Sequence, residues 1–124
     1  MKTIERLTPQ EEEVMLYFWK FGSCFIREIV DRMSEPRPPY TSVASVVRNL
    51  DKKGFVKPQK IGNSIQYQPL IKESDYKRGF LGNVVSNYFT GSYKNLVSFF
   101  VEDKKISKDE LEELIQLIEN KEKQ

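Results

Sequence analysis

The chain of 124 residues contains no histidine and only one cysteine. Without histidine it lacks the side chain that most often acts as a general base near neutral pH, which is also the commonest metal ligand. It has no glycine-rich phosphate loop, and the adjacent carboxylates at 11–13 and 112–113 have the spacing of solvated helix faces. These absences predict that the protein is not an enzyme, acts on no small-molecule substrate and holds no metal or other cofactor.

The single cysteine and the lack of long apolar runs indicate that the protein is cytoplasmic. With Cys24 as the sole cysteine, no disulfide can form within the chain, which favours a reducing compartment. Its apolar neighbours Phe25 and Ile26 predict a small buried side chain. No apolar run approaches the roughly 18 residues of a membrane span, and no signal-peptide pattern opens the sequence. We therefore expect a cytoplasmic protein that does not insert into a membrane.

The basic residues are unevenly distributed, although the formal net charge is only +2. Residues 40–60 contain five basic side chains and one acid, Asp51, whereas residues 71–124 contain nine basic and ten acidic side chains. A basic cluster by itself is usually a solvated face. A cluster that coincides with a helix and a hairpin indicates a surface for a polyanion such as nucleic acid.

The segment from Thr41 to Gly54 predicts an amphipathic helix. Four apolar residues recur at helical spacing and predict a buried stripe: Val43, Val46, Val47 and Leu50. The opposite stripe carries hydroxyl and basic groups, which are the groups that contact base edges and phosphates in a major groove: Thr41, Ser45, Arg48 and Lys52. We expect the exposed face to contain no carboxylate.

A short hairpin is predicted directly after this helix. Gly54 suits a helix end, and Gly62-Asn63 suits a two-residue type II′ turn that pairs Ile61 with Ser64 and Gln59 with Gln66. The alternation places an apolar face on one side and a polar face on the other: Val56, Ile65 and Tyr67 against Lys57, Gln59, Ser64, Gln66 and Gln68. Prolines at both ends of the ribbon predict a sheet edge, as in a wing.

Two shorter helices are predicted before this segment. Thr8, Pro9 and Glu11 form a capping box that opens the first. The second has apolar residues at helical spacing and ends before Pro36. Arg27 points away from its apolar stripe and is a candidate phosphate contact. Three helices followed by a hairpin predict a mainly α fold with a small β wing, namely a winged helix-turn-helix domain over residues 1–71.

Residues 72–124 are predicted to form a separate helical region. We expect Ser74 to cap its first helix, a short apolar segment over 93–101, and a last helix opened by the capping box of Ser107 and Glu110. These helices expose more apolar surface than a thin appendage can bury within itself. The residues predicted to form a dimer interface are Tyr88, Leu96, Phe99, Phe100, Leu111, Leu114, Ile115 and Ile118. The alternative is that the helices fold back on the first domain and complete a monomeric core.

Four strings of the sequence resemble the penicillinase repressor family, the BlaI/MecI type of winged-helix regulators. They are LTPQEEEVMLYFW for the first helix, YTSVASVVRNLDKKGFV for the recognition helix and wing entry, and KNLVSFFVED with SKDELEELIQLI for the dimerisation segment. The resemblance extends from about Leu7 to Ile118. It implies a homodimeric repressor of a palindromic operator, in the cytoplasm of a bacterium.

The resemblance also implies a mode of inactivation, in which a membrane-embedded sensor metalloprotease, or a step that it triggers, cuts the dimerisation segment. Relatives are cut at an Asn-Phe bond. The corresponding bond here is Ser98-Phe99, so the asparagine of the family is absent. Copper-responsive members carry a C-terminal cysteine cluster, whereas this sequence has no cysteine after Cys24.

Our hypothesis for binding is that the helix from Thr41 enters the major groove of double-stranded DNA. The predicted base contacts are Thr41, Ser42, Ser45 and Arg48, and the predicted phosphate contacts are Lys52, Lys57, Lys60 and Arg27. Arg48 is the main candidate for specificity, because arginine can bond guanine through two parallel hydrogen bonds. The alternative function is a winged-helix protein-interaction module whose basic face binds an acidic protein.

Overall fold

The computed structural model describes residues 4–123, so that residues 1–3 of the first expected domain and residue 124 of the second lie outside the described residues. The elements in chain order are α1 (Pro9–Phe21), β1 (Cys24–Phe25), α2 (Ile26–Arg32), α3 (Tyr40–Lys52), β2 (Val56–Ile61), β3 (Ser64–Pro69), α4 (Glu73–Tyr88), α5 (Tyr93–Glu102) and α6 (Lys108–Glu122). This mainly helical fold with a small sheet confirms the predicted class.

The chain divides into two compact units, the first ending at Phe80 and the second beginning at Leu81. The expected boundary was at 71/72. The first unit extends further because Tyr76, on the first turns of α4, is buried in its core and Phe80 packs against that core. The two units are described separately below.

The core of the first unit lies between α1, α2, α3 and the sheet. Its largest fully buried side chains include Met15, Phe18, Ile29, Leu50 and Phe55. The predicted stripe of α3 is confirmed at Val43, Val47 and Leu50, while its fourth member differs: Ala44 is buried and Val46 only half-buried.

The capping box of α1 is present as predicted. The Thr8 amide donates to Glu11 Oε1 at 2.9 Å, and the Glu11 amide donates to Thr8 Oγ1 at 3.2 Å. Pro9 follows the cap as the first helical residue. This reciprocal pair satisfies two amides that would otherwise lack partners at the helix start.

The wing contains a third strand that the sequence did not reveal. β2 and β3 pair antiparallel in the predicted register, with Ile61 opposite Ser64 and Gln59 opposite Gln66. β1 adds to the other edge of β3, pairing Cys24 with Tyr67, and gives the order β1-β3-β2. The hairpin is thereby fixed to the start of α2.

A single tight junction connects α3 to the wing. Gly54 has a φ of 84°, a left-handed conformation that glycine adopts without a Cβ clash. The Phe55 amide then donates to the Leu50 carbonyl at 2.9 Å, and the Leu70 amide donates to the Phe55 carbonyl at 2.8 Å. Since Leu50 and Phe55 are fully buried, helix and hairpin are attached to the same part of the core.

Tyr76 ties the start of α4 to the first unit. Its hydroxyl accepts the Leu7 amide at 3.1 Å and donates to Glu12 Oε2 at 3.1 Å. Burial raises the pKa of this phenol, so the hydroxyl keeps its proton at neutral pH. The Trp19 indole also donates to the Ile71 carbonyl at 2.8 Å. The predicted Ser74 cap is wrong: α4 begins at Glu73, after Lys72.

The second unit contains the end of α4, α5 and α6. The capping box of Ser107 and Glu110 is present, as predicted. No residue of α5 or α6 is buried, and Val85 on α4 is the buried hydrophobic residue of this unit. Between residues 4 and 123, no helix is both long enough and apolar enough to cross a membrane.

Candidate nucleic-acid interface

The outer surface of α3 carries the predicted polar stripe. Thr41, Ser45, Arg48 and Lys52 are all exposed, as is Ser42 at the side of the stripe. The expectation that this face holds no carboxylate is wrong, because Asp51 is exposed too. At about 100° per residue, however, Asp51 lies roughly 80° around the helix from Thr41. The stripe itself therefore remains free of acids.

The start of α3 favours an anion. Its N-cap is Pro39, which has no side-chain capping hydrogen bond, and the first turn contains no acidic residue. The Ser42 and Val43 amides donate to the Pro39 carbonyl. The positive end of the helix dipole is thus uncompensated beside Thr41, a setting in which a phosphate group is stabilised.

An open groove of about 660 Å³ brings three parts of the first unit together. They are the start of α2, the face of α3 and the tip of the wing. The groove is lined by Phe25, Ile26, Arg27, Glu28, Tyr40, Ala44, Arg48, Asn63, Ser64, Ile65 and Tyr67. Arg27 and Arg48, which are 21 positions apart in the sequence, therefore face one concave surface.

Arg27 has a defined partner in this groove. Its guanidinium Cζ lies 5.1 Å from the centroid of the Tyr40 ring, which is a cation–π distance. Tyr40 was not among the predicted contacts. The sequence shows an aromatic residue after a proline run. The contact of Tyr40 with Arg27, however, depends on how α2 and α3 cross.

The wing exposes the basic side chains that were assigned to it. Lys57 and Lys60 lie on β2 and are both exposed, and Gly62 turns the hairpin with a φ of 60°. Val56 and Tyr67 are buried as predicted, but Ile65 is 53% exposed. The inward alternation fails at Ile65 because the tip of the hairpin extends past the core, where Ile65 lines the groove instead.

Lys53 does not belong to the exposed basic surface, although it was counted in the basic cluster. Its Nζ lies 2.6 Å from Glu11 Oε1, and the Glu11 side chain is 6% exposed. Burial raises the pKa of Glu11, but the hydrogen bonds from Lys53 and the Thr8 amide outweigh it, so that the pKa lies below its usual value. The pair is structural, and the outward charge comes from the other four basic residues of the cluster.

Cys24 is buried as expected, and burial raises the pKa of its thiol, which makes it a poor nucleophile at neutral pH. The described part of the chain contains no cluster of acidic, cysteine or histidine side chains suited to a metal ion.

The second unit presents a largely exposed apolar surface. Of the eight residues predicted to form a dimer interface, Leu96 and Leu111 are half-buried and six are exposed: Tyr88, Phe99, Phe100, Leu114, Ile115 and Ile118. Tyr88 is 78% exposed. Tyr93, Val97, Val101 and Leu117 enlarge the surface. These side chains, all between residues 88 and 118, leave much of their apolar area exposed within their own unit.

The Ser98-Phe99 bond lies inside α5 (Tyr93–Glu102). Both side chains are exposed, and the Phe99 ring packs edge-on against Phe89 at a centroid distance of 5.8 Å. A peptide bond within a helix must leave the helix before a protease can bind it in an extended form. The absence of buried residues in α5 makes such local unfolding inexpensive.

The comparison with known families now identifies this arrangement, because the family model of the penicillinase repressor matches residues 7–120. The chain belongs to the penicillinase repressor family. Its members are transcriptional repressors, which confirms the prediction of a DNA-binding regulator rather than an enzyme. The penicillinase repressor of Bacillus licheniformis is 31% identical over 96% of this chain and 94% of its own length.

Further relatives agree with this assignment. The methicillin resistance regulatory protein MecI of Staphylococcus aureus strain N315 is 35% identical, over 97% of this chain and 98% of its own length. The solution structure of the DNA-binding domain of the repressor BlaI is 32% identical with a TM-score of 0.52, and covers 61% of this chain and 94% of that domain.

A second solution structure shows the Bacillus licheniformis BlaI monomeric form in complex with the blaP half-operator, at 32% identity and a TM-score of 0.51, over 61% of this chain and 94% of that one. A MarR family protein from Bacillus stearothermophilus, 13% identical with a TM-score of 0.51, shares the fold over 97% of this chain and 78% of its own. Both confirm the winged-helix fold.

Proposed function

We propose that this chain represses transcription by binding a palindromic DNA operator as a homodimer, with α3 of each subunit in the major groove. The observation that carries the proposal is the acid-free stripe of α3, whose Arg48 lines one groove together with the wing tip. The stripe from Thr41 to Lys52 is about 16 Å long at ~1.5 Å per residue. A major groove about 12 Å wide admits a helix along such a length.

The assignments to DNA follow from position and chemistry. Thr41, Ser42, Ser45 and Arg48 lie on or beside the stripe and would contact base edges, and Lys52 at its end would contact a phosphate. Lys57 and Lys60 on the wing and Arg27 on α2 would contact phosphates on either side. The complex of the related BlaI protein with its half-operator supports binding of operator DNA by this chain.

Dimerisation is proposed to occur through the second unit. The exposed apolar side chains of α5 and α6 need a cover, and a second copy of the same surface is one that symmetry supplies. Joining two weak DNA-binding subunits raises affinity by about 10²–10⁴ without any new protein–DNA contact. Repression by the dimer in the cytoplasm would then depend on the integrity of this unit.

Inactivation is proposed to proceed by proteolysis at Ser98-Phe99. A cut there separates α6 and the end of α5 from the rest of the chain, and so removes six of the eight predicted interface residues. The family resemblance implies a membrane-embedded sensor metalloprotease as the partner that starts this step. Mass spectrometry of the protein from induced cells tests the point, with a fragment that ends at Ser98 as the expected product.

The experiment that tests the proposed function is to sequence the DNA retained by the purified full-length protein from its host genome. We expect a two-fold symmetric consensus, and a discrete gel-shift complex on that duplex that survives excess unrelated DNA. Recovery of no enriched sequence, together with capture of an acidic protein by the same face, would instead support the protein-interaction module.

A further inference from the structure

Arg27, a predicted phosphate contact, lies against Tyr40, a residue of the candidate interface that is not among the predicted DNA contacts. Arg27 is on the first turn of α2 and Tyr40 is the first residue of α3. Both side chains are exposed, and both line the groove that contains Arg48. The Arg27 guanidinium lies 5.1 Å from the centre of the Tyr40 ring.

The charge of Arg27 is not neutralised by a neighbouring acid. Among residues 4–123, neither Arg27 nor Arg48 takes part in an ion pair. Glu28 follows Arg27 and also lines the groove. Its carboxylate accepts a hydrogen bond from the Phe25 amide at 2.8 Å and so caps the start of α2. Stacking on the ring leaves the guanidinium N–H groups at its edge available to an anion.

Prior ordering of an arginine favours binding. A free arginine side chain samples many rotamers, and this freedom is lost when the group binds a phosphate. Stacking on an aromatic ring selects a subset of these rotamers before DNA arrives. An exposed cation–π pair of about 0.5–1 kcal/mol corresponds to a change of about 2- to 5-fold in the population of the stacked state.

We propose that Tyr40 is a positioning residue for DNA binding: its ring holds the Arg27 guanidinium in the groove beside Arg48, ready to bind a backbone phosphate. This inference rests on the proposed function. Tyr40 acts through the face of its ring, so its hydroxyl is not required. The effect of Tyr40 on DNA affinity requires Arg27.

The test is a double-mutant cycle on the full-length protein, with affinity measured by fluorescence anisotropy on the duplex recovered from genomic DNA. Tyr40→Leu removes the ring, Tyr40→Phe keeps it, and Arg27→Gln removes the guanidinium. We expect Tyr40→Leu to weaken binding about 2- to 5-fold for each engaged subunit, the factor of the cation–π pair. Tyr40→Phe is expected to bind like the original protein, and Tyr40→Leu to have no further effect in the Arg27→Gln background.

The protein offers a matched control. Arg32 lies over the Phe21 ring at 3.9 Å, and Phe21 is 43% exposed against 42% for Tyr40. Neither residue lines the groove. Phe21→Leu therefore removes an equally exposed arginine–aromatic stack elsewhere on the same unit, and we expect it to leave DNA affinity unchanged. Melting temperatures of all variants report any loss of folding.

Each outcome either supports or overturns the role of Tyr40. If Tyr40→Leu weakens binding in the Arg27→Gln background as much as in the original protein, Tyr40 does not act through Arg27 and the inference is overturned. If Tyr40→Phe is as weak as Tyr40→Leu, the hydroxyl and not the ring is responsible, which also overturns it. If the unmutated protein forms no discrete complex with any duplex, the proposed function itself fails, and the inference falls with it.

Discussion

Lys53 Nζ and Glu11 Oε1 form a part-buried ion pair, 2.6 Å apart, between the end of α3 and the first turn of α1. The same carboxylate oxygen accepts the Thr8 amide at 2.9 Å, so one buried group closes a helix cap and joins two helices. The pair thus fixes α3, which carries the polar stripe, onto α1, which contributes Val14, Met15 and Phe18 to the core.

Glu11 is expected to make folding stability dependent on pH. Its pKa in the folded protein lies below the usual value of 4.5, so its contribution is present above about pH 4.5 and is lost as the pH falls through the lower folded value. Glu11→Gln removes this dependence. Urea unfolding at pH 7 and at acidic pH measures the free energy of unfolding. Acidification should lower it less for Glu11→Gln than for the original protein. Glu13→Gln, at an exposed position on the same helix, should behave like the original.

Lys53→Met is expected to lower the free energy of unfolding by about 1–3 kcal/mol, because a charged hydrogen-bond partner of a buried carboxylate is removed. Adding Glu11→Gln should restore part of the lost stability, since the side chain at position 11 is then neutral. Chemical denaturation of Lys53→Met, Glu11→Gln and the double variant at pH 7 measures this. A Lys53→Met protein as stable as the original would mean that Lys53 belongs to the exposed basic surface after all.

Arg48 and Lys57 should affect DNA binding in different ways. Arg48→Ala is expected to reduce discrimination between operator and unrelated DNA by about 1–3 kcal/mol, as for a lost bidentate base contact. Lys57→Gln should weaken binding to both duplexes alike and make the salt dependence shallower by about 1 per engaged subunit. Lys77→Gln, an exposed lysine on α4, is the control. Equal losses on both duplexes for Arg48→Ala would remove it from base recognition.

The proposed dimer should show a steep dependence of DNA affinity on salt. If each subunit contacts about four phosphates, the slope of log affinity against log salt concentration is about −7. Titrations between low and moderate salt on the full operator measure the slope. A value near half of this would indicate that only one subunit is engaged.

Truncation after Val97 should leave the first unit folded but weaken repression. On a full operator we expect a loss of about 10²–10⁴ in affinity, and on an isolated half-operator we expect none. Light scattering would show a monomer in place of a dimer. If the untruncated protein is itself monomeric, the alternative in which the last helices complete a single core gains support, and the avidity argument fails.

Tyr76→Phe should destabilise the first unit by about 1–3 kcal/mol, since the Leu7 amide loses its hydrogen-bond acceptor in a buried site. The aromatic packing against Trp19 and Phe55 is retained in this variant. Thermal or urea unfolding measures the loss. Tyr88→Phe, in the second unit and with a side chain that is 78% exposed, should leave the stability of the first unit unchanged.

The local features of both units could be predicted because their signals are short-range. The capping boxes at Thr8 and Ser107 and the turn at Gly62 each depend on residues within a few positions of one another. The wing register followed from the turn in the same way. These elements place α3 and the hairpin next to each other, and most of the candidate interface follows from them.

The features that were missed depend on contacts between distant residues. β1 is two residues long and shows no alternation, so its pairing with Tyr67 is invisible in the sequence. Lys53 looks like its exposed neighbour Lys52 until Glu11, 42 positions away, is placed beside it. Ile65 follows the inward alternation but lies where the hairpin has already left the core. The stacking of Arg27 on Tyr40 likewise depends on the crossing of two helices.

The short junction around Gly54 restricts how this protein can acquire a new DNA target. The helix α3 and the hairpin are both held to the core at Leu50 and Phe55, so neither can change its angle alone without displacing these buried side chains. New sequence preference is therefore accessible by exchanging side chains on a fixed frame. Homologues that recognise different operators should vary at Thr41, Ser45 and Arg48 while retaining the frame around the glycine.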